Sequence, residues 1–189
     1  MSREVYDYIV VGGGSAGSVV AARLTQATAR VLLLEAGSTD RHVGVRVPAA
    51  IQKVYAGANW RYVAEPDPTR GGLEEARSAG KILGGGGSVN SCVYVRGHRL
   101  DFDGWAKLGA AGWDYESVLP AFRRLESWER GPDHFRGADG PISVVVQSIR
   151  SEATTGFLDA ARQAGYARNP DYNGSDLDGA AFTQVNQRR

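Results

Sequence analysis

The chain has 189 residues, enough for one ordinary domain or for most of one and a piece of another. Its apolar fraction of 42% is that of a globular protein, and a formal net charge of +1 points away from a nucleic-acid or anionic-membrane surface. A single cysteine, Cys92, excludes an internal disulfide and a thiolate metal cluster, and no apolar run is long enough to cross a bilayer, so a soluble, cytoplasmic protein without a secretory leader is expected.

Residues 7–37 read as strand, glycine turn, helix and strand, within the roughly thirty residues of a dinucleotide-binding βαβ unit. Tyr8-Ile9-Val10-Val11 is a short β-branched run of the kind that forms a buried strand. The turn Gly12-Gly13-Gly14-Ser15-Ala16-Gly17 follows, then a helix over 18–25 with its small residues toward the sheet. Val31-Leu32-Leu33-Leu34 is the second buried strand, ending at Glu35. Each glycine has a mechanical reason to be there. Gly12 permits the tight turn, Gly14 lets a pyrophosphate approach the backbone, and Gly17 lets helix and strand pack closely. The helix then aims its free N–H groups and positive dipole end at the phosphates. Glu35 stands where a carboxylate accepts hydrogen bonds from ribose hydroxyls, and its charge disfavours a 2′-phosphate. An ordinary ADP moiety is expected.

Residues 38–47 are polar and read as a loop, and Pro48 opens a short helix over 49–55. A strand or extended segment over 59–63 is closed by Pro66-Asp67-Pro68, and 69–79 is turn-rich with little to fix its conformation. The run 80–90 contains four consecutive glycines, Gly84 to Gly87. It is either a flexible linker or, because Ile82-Leu83 and Val89 tie it down at both ends, a place where backbone passes close to a ligand. A helix over 101–108 carries Phe102 and Trp105 on one face. Asp114 caps a second helix over 115–127, which Pro120 kinks or shifts in its start. Residues 132–140 are a loop, 142–146 a strand, and Ser151 caps a third helix through Gln163, ended by Gly165. Another strand begins over 182–185.

Lys81 to Asp103, together with the opening βαβ unit, resembles the glucose-methanol-choline (GMC) oxidoreductases, FAD-dependent enzymes that oxidise alcohols. Gly80, Lys81, Leu83, Gly84, Gly85, Gly86, Gly87, Val89, Asn90, Tyr94, Gly97 and Asp103 fill the places of the family's first signature. Leu33-Leu34-Glu35-Ala36-Gly37, Tyr94-Val95-Arg96-Gly97-His98 and Gly112-Trp113-Asp114-Tyr115 are similar to the family too, so the resemblance covers essentially the whole chain. It implies an α/β, Rossmann-like FAD-binding domain over 1–145, incomplete, with the start of a substrate-binding domain over 146–189.

By the same resemblance Gly12, Gly14, Ser15, Ala16 and Gly17 hold the FAD pyrophosphate, and Glu35 with Ala36 the adenosine ribose. Trp60 lies near the adenine end or is an ordinary core tryptophan. Ile82, Gly84, Gly85, Asn90, Ser91, Cys92 and Val93 run beside the flavin. Two positions depart from the pattern. Val89 stands where some relatives carry a histidine bonded covalently to the flavin, so FAD is expected to be non-covalent. Ala79 stands where the family usually has an arginine. The family's catalytic histidine lies far toward the C-terminus of chains nearly three times as long, and His42, His98 and His134 match no catalytic position. No catalytic residue and no metal ligand is therefore assigned. The expectation is the FAD-binding part of an alcohol oxidoreductase, inactive alone, whose partners are a small alcohol and the missing C-terminal part of the fold, in one chain or a second. The alternatives are a non-catalytic FAD- or ADP-binding module and an NAD-linked Rossmann dehydrogenase, which the 84–90 loop disfavours.

Overall fold

The computed structural model describes residues 4–47 and 50–187, and these fall into two compact units, one ending at Ser91 and the other beginning at Cys92. In the first unit β1 (Tyr8–Val11) pairs in parallel with β2 (Val31–Leu34), Tyr8 opposite Val31 and Val11 opposite Leu34. Helix α1 (Ser15–Gln26) makes the crossover between them and packs on both strands. Its Ala21 is buried, as a small residue facing the sheet should be. The strands themselves are less buried than their apolar sequence predicts: Ile9 is 61% exposed and Val11 82%. Among the described residues β1 and β2 form a two-stranded sheet, and one helix covers only part of it.

Two short helices follow. The first, α2 (Val43–Arg46), lies within the stretch expected to be loop, and α3 is Ile51–Tyr55. His42 makes α2 possible, its ring Nδ1 accepting the Gly44 N–H at 3.0 Å. Pro48 and Ala49, where the expected helix starts, lie outside the described residues. Val54, Ala58, Ile82 and Val89 form a small core, with Val45 and Ile51 against it.

Residues 69–79 are not the unfixed stretch expected. They contain β4 (Leu73–Arg77), which pairs antiparallel with β3 (Tyr62–Asp67). Pro66 and Asp67 belong to β3 rather than closing it. Asp67 accepts the backbone N–H and the hydroxyl of Thr69, which holds its carboxyl below the usual range, and Gly71 and Gly72 take the positive φ that turns the chain back. Leu-Glu-Glu-Ala-Arg has no apolar alternation, so periodicity could not mark β4.

In the second unit α4 (Arg99–Lys107) packs against α5 (Tyr115–Leu125). Phe102, Tyr115 and Leu119 are buried there with Val118, Phe122 and Phe135, and Trp105 stands edge-on to Phe102 at 5.2 Å. Asp114 caps α5 as expected, accepting the Ser117 N–H. Pro120 is accommodated inside α5, whose start is not shifted. The helix ends at Leu125 rather than 127 because Glu126–Trp128 become a strand, β5, parallel to β6 (Ile142–Val146). Strand β7 (Gln184–Val185) closes the order β5-β6-β7, antiparallel to β6. Helix α6 (Glu152–Gln163) is capped by Ser151 and followed by Gly165 at φ +92°. The domain boundary expected between 145 and 146 lies within β6, and the two compact units divide between Ser91 and Cys92.

Candidate functional site

The glycine turn sits between β1 and α1, and three hydrogen bonds fix its central residue. Gly13, buried, donates its N–H to Glu35 Oε2 at 2.7 Å. Its carbonyl accepts the Gly84 N–H at 2.7 Å and the Ser18 hydroxyl at 3.0 Å. Gly12 takes φ +97°, a conformation that costs other residues, and a Cβ on Gly17 would collide with the Gly12 carbonyl. The first N–H groups of α1 have no helical partner, and the N-cap residue, Gly14, supplies no side chain to satisfy them. By contrast His98, Asp114 and Ser151 cap α4, α5 and α6 with side-chain acceptors. The start of α1 also carries no acidic residue, so its donors and dipole are left for an anion.

Glu35 leaves β2 at the same end of the sheet. Its Oε1 accepts the Gly37 N–H at 2.7 Å, so both carboxylate oxygens are anchored to backbone while each keeps a lone pair.

The second glycine run is docked, not a linker. Ile82 is 1% exposed and forms a bridge with Ser38, and the Leu83 N–H donates to the Ser38 carbonyl. Gly84 and Gly85 both take positive φ, and a Cβ on Gly85 would come within 2.8 Å of Gly14 Cα. Backbone therefore lies directly on backbone where the two runs meet. A cleft of about 470 Å³ opens beside them, lined by Gly12, Gly14, Glu35, Ala36, Trp60 and Gly85 among others. Trp60 is 40% exposed rather than a core residue; Tyr62 stacks with it at 5.8 Å, and Lys81 Nζ lies 4.6 Å from its ring centroid.

The expected pyrophosphate and ribose residues thus share one cleft or stand at the adjoining helix start, as Ser15, Ala16 and Gly17 do. The expected flavin-side residues are placed differently. Ile82 sends its side chain into the core, leaving only backbone to face a ligand. Asn90 and Ser91 are exposed at the end of the first unit. Cys92, at φ +59°, and Val93 open the second unit, where Cys92 accepts the Asn186 N–H and Val93 bridges to Val185. Sequence reasoning missed Gly13 and Ser18, because the glycine pattern leaves both positions unspecified.

It also missed a buried ionic network in the second unit. Glu126, fully buried, accepts from Arg96 Nη2 at 2.6 Å, from Arg136 Nε and Nη2 at 2.9 and 3.1 Å, and from the Gly137 N–H. Arg136 reaches on to Asp171 and to Gln184, and its guanidinium lies 4.0 Å from the Trp128 ring centroid. Burial, and next the Glu126 charge, push the Tyr94 hydroxyl above its usual range, and burial does the same to Tyr172. Scattered arginines and acids give no sequence signal for such a cluster. His42 and His98 cap helices and His134 is exposed, edge-on to Phe135. Among the described residues no group of His, Cys, Asp and Glu could hold a metal ion, and no helix is long and apolar enough to cross a membrane.

Comparison with known proteins gives three concordant results. Residues 6–189 match the family model described as GMC oxidoreductase. Oxygen-dependent choline dehydrogenases of Vibrio vulnificus and Sinorhizobium fredii are each 42% identical, over 94% and 92% of this chain. The chain spans about a third of these relatives, 32% of each. Among solved structures, pyridoxine 4-oxidase from Mesorbium loti superposes with a TM-score of 0.89 at 30% identity, covering 97% of this chain and 37% of that one. An FAD-dependent oxidoreductase from Chaetomium thermophilum gives 0.81 at 26% identity, covering 96% and 33%.

Proposed function

The chain belongs to the GMC oxidoreductase family, and we propose on that footing that it carries the FAD-holding part of an enzyme that oxidises a small alcohol. The observation that carries the reading is one cleft in which an uncapped helix start, an anchored carboxylate, an exposed tryptophan and two glycine runs converge. When bound, FAD supplies the hydride acceptor. The residues of this chain hold and orient it. N–H groups of Ser15, Ala16 and Gly17 face the pyrophosphate, with Gly12 and Gly14 removing side chains from its path. Glu35, beside Ala36, offers its remaining lone pairs to the ribose hydroxyls, and Trp60 flanks the adenine. Backbone of Ile82, Gly84, Gly85, Asn90, Ser91, Cys92 and Val93 runs along the flavin. Val89 points into the core and has no nucleophile, so the cofactor stays non-covalent.

The substrate hydroxyl needs a base within hydrogen-bond reach. His42 and His98 each use ring Nδ1 as the acceptor of a helix cap. In this reading the base comes, as the family resemblance implies, from a part of the family fold that these residues do not span, in the same polypeptide or a second one. Residues up to about 145 serve the cofactor, and those after it begin the substrate side. The choline dehydrogenases among the relatives favour a small alcohol of the choline kind, and the lone Cys92 fits a cytoplasmic setting.

The test is a flavin titration followed by anaerobic addition of choline and primary alcohols. The 189 residues alone should not bleach the flavin, whereas adding the remaining part of the fold should restore both binding and bleaching. Acid precipitation of the loaded protein should leave the yellow colour in the supernatant. Substrate-dependent bleaching by this chain alone at enzyme-like rates would mean the base is among its own residues. Colour retained in the pellet would mean a covalent link.

A further inference from the structure

The glycine turn is held by more than its own sequence. Every polar group of the Gly13 residue is used, and each partner comes from a different element: Glu35 after β2, Ser18 in α1, and Gly84 in the second glycine run. A carbonyl has two lone pairs, and here Gly84 N–H and Ser18 Oγ–H take one each. Ser18 is half-buried, and its own N–H is already bound to the Gly14 carbonyl, so its hydroxyl has one role in the described structure. The contact matters because it sits where the two runs touch. A Cβ on Gly13 would come 2.9 Å from Leu83, and the bond from Gly84 sets how residues 84–87 lie over Gly14 and Ser15.

We propose that Ser18 is a positioning residue for the nucleotide site. Its hydroxyl orients the Gly13 carbonyl so that the second glycine run is already docked before a dinucleotide arrives. It does not touch the dinucleotide. This rests on the FAD-holding reading above. Without the hydroxyl, the carbonyl keeps only the Gly84 bond and the run can lift away. Ordering it again then opposes binding, and affinity falls although no cofactor contact is lost.

The test compares Ser18→Thr with Ser18→Val in this chain completed by the remaining part of the fold, a pair of the same shape differing only in the hydroxyl. The Val variant should bind FAD roughly five- to tenfold more weakly, the equivalent of one ordinary hydrogen bond, and the Thr variant within about twofold of the wild type. In the FAD-free protein, amide exchange should speed up at 84–88 in the Val variant and stay unchanged in β1 and β2. Equal affinity and equal exchange in the two variants would overturn the proposal. Exchange that speeds up throughout the first unit would also overturn it, since Ser18 would then be only a packing residue. Wild-type protein that takes up no FAD even with the remaining part of the fold added would bring down the functional reading itself, and this proposal with it.

Discussion

Glu35 has two tasks, and they pull its chemistry in the same direction. Its oxygens tie Gly13 and Gly37 together across the turn, and the lone pairs that remain point a negative charge at the cleft. Replacing it with Arg removes both, and puts a cation beside a helix start that already carries positive potential. Glu35→Arg should weaken FAD binding by on the order of 1–3 kcal/mol, more than a ribose contact alone would cost. Glu35→Gln keeps one acceptor and should fall between. A flavin titration of the three proteins checks the order, and wild-type affinity in the Arg variant would remove Glu35 from the site.

Among the elements, the segment 92–94 illustrates how pairing sets the ionisation of a side chain. Tyr94 N–H donates to the Gln184 carbonyl, and Asn186 N–H to the Cys92 carbonyl, so this stretch runs beside β7 through an antiparallel bridge between Val93 and Val185. That register places Tyr94 against the Trp128–Val144 core and near Glu126. Burial, then the Glu126 charge, raise its hydroxyl above the ordinary tyrosine value of 10.0. A folded value raised above the unfolded one leaves stability intact below the unfolded value, and that stability is lost as pH rises through the folded one. Urea unfolding midpoints should therefore be flat from neutral pH to about pH 10 and fall above it. Tyr94→Phe should flatten part of that alkaline loss. An unchanged slope in the variant would mean other groups carry it.

Across the whole chain the two units differ in what they bury, and the second encloses an ionic network beside its apolar clusters. In the second unit Glu126 and Arg136 are fully buried, joined to Arg96, Asp171 and Gln184 across β5, the 129–141 loop, the 171–173 stretch and β7. Such a network is a poor source of net stability but costly to break, because the group left behind is a buried charge without a partner. Glu126→Gln should destabilise the protein by about 3–5 kcal/mol, read as a lower urea midpoint, whereas Glu152→Gln on the exposed start of α6 should change it little. Equal midpoints would show that Arg96 and Arg136 find other acceptors. The first unit has the opposite character: its two-stranded sheet leaves Ile9, Val11 and Leu34 substantially exposed, so these 189 residues alone should be marginal and aggregation-prone.

What the sequence determined by itself is local. The β1-α1-β2 unit, its glycine turn, Glu35 at the strand end, the Asp114 and Ser151 caps and the 142–146 strand all follow from neighbours within a few residues, through φ freedom, capping chemistry and apolar runs. The family signature around Gly84 was legible because its spacing is rigid. Only the tertiary structure decided the rest. Hairpin β3–β4 is hidden because neither strand has a buried face to impose alternation. Helix α5 stops at Leu125 because β5 pairs with β6. The Gly13–Gly84 and Gly13–Ser18 bonds and the Glu126 network join residues far apart in sequence or unmarked by it, and a hydrogen bond between such groups leaves no periodicity to read.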